Sequence, residues 1–168
     1  VSTFVALGNS RQPFLRLLKA VEALAEQGKL PEPVVIQKGH TEFASSLCEG
    51  IPFMEMEEFE RHIAAAELVI MQAGGGAVLT ARQHKKIPVL VPRKAALSEI
   101  IDNHQFDNAA NLEKLGKVVV AYEVKDLEEA IQKALHLQNA QNDQPGEIQL
   151  IRLLRADLQQ LALRTTAS

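Results

Sequence analysis

The chain has 168 residues, 46% apolar and 23% charged, with a formal net charge of -3. That length suits one well-buried α/β domain and falls short of two ordinary ones, and acids and bases are interspersed, without the basic face that a nucleic-acid backbone selects. The single cysteine, Cys48, excludes an internal disulfide framework and reads as a packing residue in a reducing compartment, while the lack of a signal peptide or of roughly 18 consecutive apolar residues leaves a cytoplasmic location as the default.

Thr3-Phe4-Val5-Ala6-Leu7 reads as a strand stopped by the turn Gly8-Asn9-Ser10. Pro13 opens a helix with Phe14, Leu17, Leu18, Val21 and Leu24 at helical spacing, closed by Gly28. Pro33 to Gln37 is a second strand, ending at Gly39-His40, and a short helix is expected from Thr41 to Leu47. Ile51 to Met54 is a weak third strand, demoted by Pro52. Glu57 to Ala66 is helical, Leu68 to Met71 is a fourth strand, and Ala73-Gly74-Gly75-Gly76 leads into a helix from Ala77 to His84.

Strand five is Ile87 to Val91, ended by Pro92-Arg93. A helix from Gln105 to Leu115 follows, entered through Asp102 or Asn103 as N-cap and closed by Gly116. Val118 to Ala121 is strand six, and Asp126 caps a helix from Leu127 to Leu137 whose Glu128 and Glu129 complement its dipole. Asn139 to Gly146 reads as a linker between a domain over 1–138 and a terminal amphipathic helix over 147–168. Ile148, Ile151, Leu154, Leu158 and Leu161 mark that helix's apolar face, opposite Arg152, Arg155 and Gln159. The stripe either packs back onto its own domain or docks on a partner.

Continuously apolar strands alternating with helices predict an α/β, Rossmann-like three-layer sandwich with a mostly parallel sheet. Ligands of such sheets sit beyond the carboxyl ends of the strands, where the loops Gly8-Asn9-Ser10, Gly39-His40, Gly74-Gly75-Gly76 and Pro92-Arg93 should share one edge. Of these the glycine cluster is the most informative. Three residues without side chains expose backbone amides at a helix N-terminus, where unpaired N–H groups and the peptide dipole favour a phosphate or diphosphate. A tight turn or close helix–strand packing would call for the same glycines.

Other nucleotide folds fit poorly. A dinucleotide fingerprint belongs after the first strand, where this chain has Gly8-Asn9-Ser10, and no Gly-Lys-Ser/Thr of a phosphate-binding loop occurs. Between strand five and its helix, Arg93, Lys94, Glu99, Asp102, Asn103, His104 and Gln105 concentrate polar groups at the mouth of the sheet.

The order Ala-Gly-x-Gly, Pro-Arg and Glu-x-x-x-x-His-Gln resembles the C-terminal, nucleotide-sugar-binding half of family 28 glycosyltransferases of the GT-B architecture, over roughly residues 3 to 137. It is similar in particular to single-domain bacterial polysaccharide glycosyltransferase subunits of the PssE type, and to the cytosolic subunit of the eukaryotic transferase that adds the second GlcNAc to dolichol-diphosphate. Leu7-Gly8-Asn9-Ser10 and Ile36-Gln37-Lys38-Gly39 join the match.

The resemblance implies a UDP-sugar donor, its diphosphate on the amides of Gly74, Gly75, Gly76 and Ala77. Glu99, His104 and Gln105 would contact ribose or sugar hydroxyls, and Asn9 and Ser10 the reacting end. Arg93 would be a phosphate-binding or loop-bracing cation, or a salt-bridge partner of Glu99. Three positions depart from the family pattern: Gln72 replaces a His, Ala77 a Ser or Thr, and Thr80 an acid.

Inverting transfer to a lipid-diphosphate-linked acceptor would then need no cofactor and no metal, because preorganised amides stabilise the leaving UDP. The acceptor hydroxyl needs a general base, for which His104 and His40 are the candidates by chemistry. A second, membrane-anchored subunit would hold the acceptor and recruit this chain to the inner face of the membrane, with the terminal helix as docking element.

Overall fold

The computed structural model describes residues 2–141 and 146–166. Their centre is a six-stranded sheet in the order β3-β2-β1-β4-β5-β6, every adjacent pair parallel. The strands are β1 (Thr3–Ala6), β2 (Val34–Gln37), β3 (Cys48–Ile51), β4 (Leu68–Met71), β5 (Val89–Leu90) and β6 (Val119–Val120). The helices are α1 (Leu15–Glu26), α2 (Met56–Ala65), α3 (Gly75–Gln83), α4 (His104–Glu113), α5 (Leu127–Ala140) and α6 (Gly146–Thr166).

Side chains on a strand alternate between faces, and here both faces are apolar. Val5, Leu7, Ile36, Leu68, Ile70 and Val89 pack against Leu17, Leu18 and Val21 of α1 and Leu127 and Ile131 of α5. Phe4, Ala6, Val35, Val69, Met71 and Leu90 pack on the other side with Ile63 of α2, Val78 of α3, Leu112 of α4 and Leu154 of α6. Three layers result, as expected for continuously apolar parallel strands.

Several boundaries differ from those read in the sequence. Residues 41–47 are not helical, and the third strand is Cys48–Ile51, upstream of the expected Ile51 to Met54. Glu49 and Gly50 are exposed on this edge strand, so it carries no apolar run to betray it, and Pro52 ends the strand. Cys48 is buried there, and burial raises its thiol pKa. Helix α3 begins inside the glycine cluster, with Gly74 in the N-cap position and Gly75 and Gly76 already helical.

Helix α5 runs on through Asn139 and Ala140, into the segment expected as linker; residues 142–145, the rest of it, and the side chains of Ile148 and Ile151 lie outside the described residues. Helix α6 packs on α3, with Leu154 fully buried. Of the two uses weighed for its stripe, Leu154 serves packing onto its own domain.

Candidate donor site at the carboxyl edge of the sheet

Strand order reverses between β1 and β4, and the loops leaving their carboxyl ends part to form a crevice, the usual ligand position in open α/β sheets. One loop is Gly8-Asn9-Ser10 and the other is Gln72 to Gly76. Gly8 has φ +71, and a Cβ there would lie 1.9 Å from Nε2 of Gln72, so only glycine lets the two loops approach. Gly39, with φ +56, brings β2's loop equally close: its Cβ would meet the Gly8 carbonyl at 2.6 Å.

Gly74 is extended and offers α3 no side-chain cap, and the first intrahelical bond runs from Val78 N to Gly74 O, 3.2 Å. The N–H groups of Gly75, Gly76 and Ala77 therefore stand at the positive end of α3 ahead of its hydrogen-bond ladder. Thr80, where an acid would have faced a ribose, turns its hydroxyl back to Gly76 O at 3.2 Å.

Arg93 braces these loops from below. It is 1% exposed, and its guanidinium donates to Gln72 Oε1 (2.5 Å), Gln12 O (2.8 Å), Glu99 O (2.9 Å) and Leu7 O (3.0 Å). Its face lies over the Phe14 ring, 4.7 Å from the centroid. Burial lowers its pKa to about 10 while Glu99 pulls it up, so it remains a cation at neutral pH. Of the three roles open for it, the structure shows loop bracing: its donors go to protein oxygens, and its contact with Glu99 is to the backbone carbonyl, not a salt bridge.

Glu99 is likewise engaged within the protein. Its carboxylate accepts from Arg16 Nε (2.8 Å), Arg16 Nη2 (3.0 Å) and the Lys94 amide (2.9 Å), and the residue is 4% exposed. A carboxylate so bonded holds the β5–α4 loop rather than presenting itself to sugar hydroxyls. Gln105 is also engaged, accepting from Arg93 N (3.1 Å) and donating to Gln72 Oε1 (3.2 Å), yet it still borders the site.

Two cavities open on either side of the glycine segment. One, of about 340 Å³, has Ser10, Gln12, Gly74, Gly75, His104, Gln105 and Asn108 in its walls and is closed by Asp157, Gln160, Leu161 and Arg164 of α6. The other, of about 370 Å³, is bounded by Gly8, Asn9, Gln37, Gln72, Gly74, Gly75, Gly76, Ala77 and Thr80, with an apolar wall of Met54, Met56, Phe59 and Leu161. Both have mainly apolar surface, Ile100 and Ile101 contributing to the first, but the first gathers more polar side chains and the second more apolar ones.

His104 is mostly exposed, with Nε2 2.9 Å from Nη1 of Arg164 and 3.7 Å from Oδ2 of Asp102. Asp102 also accepts from the His104 amide at the start of α4 (3.0 Å), while Asn103 accepts from Ala95 N (3.3 Å). His40 stacks edge-on to Phe53, with ring centroids 5.0 Å apart, and borders neither cavity. Among the described residues, no three His, Cys, Asp or Glu side chains gather as a metal site, and no helix is long and apolar enough to cross a membrane.

The sequence reading missed Gln12, Gln37, Met54, Met56, Phe59, Asn108 and the α6 residues. Met54 and Phe59 carried a usable signal, since they flank the exit of a strand on the same edge as the glycine segment. Asp157, Leu161 and Arg164 recur at i, i+4 and i+7 on one helical face, but nothing in that spacing says which surface they meet.

A parallel sheet of this order, with loops converging at its carboxyl edge, matches one half of the GT-B glycosyltransferase architecture. The glycosyltransferase of kitacinnamycin aligns with a TM-score of 0.59 at 16% identity, over 93% of this chain and 40% of its own length. CalG4, the calicheamicin glycosyltransferase, aligns at 0.58 and 20% identity, over 94% and 38%, and Acinetobacter baumannii MurG at 0.51 and 16%, over 90% and 49%. The chain thus spans less than half the length of each of these structures. No curated protein sequence matches significantly. The model of the glycosyltransferase family 28 C-terminal domain matches residues 4–152, and the chain belongs to that family.

Proposed function

We propose that this domain binds a UDP-sugar and acts as the donor half of an inverting transferase whose acceptor is a lipid-linked diphosphate. The observation that carries the reading is the uncapped N-terminus of α3, lying as a bridge between two cavities of different character. A diphosphate on the amides of residues 75–77 would place a base against Met54, Met56 and Phe59, where a flat apolar ring gains most from burial. The sugar would then lie on the polar side, near Ser10, His104 and Gln105. Asn9, on the side of Met54 and Phe59, would border the diphosphate and nucleoside.

As the glycosidic bond breaks, negative charge grows on the diphosphate oxygen that leaves. Fixed N–H dipoles directed at that oxygen favour the transition state over the ground state, and one such donor is worth on the order of 10²–10³ in rate. His104 can take the acceptor proton only once its Nε2 is released from Arg164. The acceptor, and any further base, belong to a second subunit, membrane-anchored, that recruits this domain to the inner membrane face; the family resemblance supports this part.

Calorimetric titration with UDP, ADP and inorganic phosphate tests the reading. UDP should bind more tightly than ADP, and Gly75→Asp should abolish binding by placing a carboxylate on the amides. Equal affinity for all three would leave only an anion site. A non-catalytic sugar-nucleotide-binding subunit is favoured by one observation: Gln72 Oε1, the Thr80 hydroxyl and His104 Nε2 each have a partner within the protein. UDP release by the reconstituted pair separates the two readings.

A further inference from the structure

Helix α6 covers the residues assigned to the donor, and it does so with charge. Asp157, Leu161 and Arg164 lie on one face at i, i+4 and i+7, and all three border the polar cavity. Asp157 Oδ2 lies 3.0 Å from the position a Gly75 Cβ would take, so the carboxylate enters the space that the missing side chain leaves open. One residue along, Leu158 Cδ2 is 3.6 Å from the corresponding position at Gly76. At the far end Arg164 holds Nε2 of His104, and Leu161 borders both cavities.

We propose that α6 is an autoinhibitory strap, with the Asp157 carboxylate standing in for a diphosphate oxygen at the N-terminus of α3. This rests on the donor reading above. A carboxylate beside the N-terminus of α3 is favoured by the helix dipole for the same reason a phosphate would be, so charge favours the closed state. A phosphate on the amides of residues 75–77 and the Asp157 carboxylate beside Gly75 would repel each other strongly. A nucleotide must therefore displace the Asp157 side chain, and the outer part of α6 must yield around the buried anchor Leu154. Displacement also separates Arg164 from His104, so opening the strap and freeing Nε2 of the imidazole are one event.

The test is calorimetric titration of UDP into the full chain and into Asp157→Asn, which keeps the shape and removes the charge. UDP affinity should rise about threefold to tenfold, and Asp157→Ala should behave alike should the amide find a new partner. Amide hydrogen exchange over residues 152–164 should quicken on adding UDP. Unchanged or weaker binding by both variants, or slower exchange in α6 with UDP, overturns the strap and leaves the donor reading in place. Absence of UDP binding by every form ends the donor reading and the strap together.

Discussion

Arg93 carries more of this fold than any other single side chain. Its guanidinium reaches Leu7, Gln12, Gln72 and Glu99, and so ties the exits of β1, β4 and β5 to one point. Burying a cation is costly, and only a full set of oxygen partners offsets it. Replacing Arg93 with Met removes the charge and leaves three buried carbonyls short of a donor. We expect Arg93→Met to lower unfolding free energy by about 3 kcal/mol, measured by urea denaturation. By contrast, the Lys29–Glu128 pair, 2.8 Å long but with both side chains about 40% exposed, should matter little.

Among the elements, α6 and α3 depend on each other. Leu154 is fully buried against the cluster that includes Val78 and Leu112, so Leu154→Ala should cost about 3 kcal/mol. The same variant loosens α6 over the glycine segment, so its UDP affinity should rise even as stability falls; thermal denaturation and titration on one sample check both signs. Loss of stability with weaker nucleotide binding would instead mean that α6 builds the site.

Legibility from sequence varied with the same physics. Elements that bury an apolar stripe, such as α1 and β4, were readable because burial imposes a period of 3.6 or 2 on the residues. The edge strand β3 was not, since one of its flanks faces solvent and Glu49 and Gly50 need not be apolar. The start of α3 was read two residues late, because glycine's weak helix preference is overridden here by packing against β4 and α6.

For the molecule as a whole, the open question is what faces the crevice. The fold matches one half of a GT-B glycosyltransferase, and the chain spans less than half the length of each structure it resembles. We predict that UDP binds this domain alone, whereas transfer needs the acceptor half: UDP release from a UDP-sugar in the presence of a lipid-diphosphate acceptor should be at background until the second subunit is added. Turnover by the isolated domain would contradict the two-part arrangement.

The sequence by itself determined the layered α/β architecture and the edge at which the connecting loops converge. Both follow from local patterns, namely alternating periods and glycines after a strand, that need no knowledge of distant partners. The glycine segment and the family motifs also marked Gly8, Ser10, His104 and Gln105 as neighbours of one crevice. Only the tertiary structure decided that Arg93 faces inward, that Arg16 binds the Glu99 carboxylate, and that α6 puts Asp157 beside Gly75. Each of those contacts joins residues some 80 positions apart, and which polar group meets which is settled by how loops converge once the sheet has formed, not by any spacing along the chain.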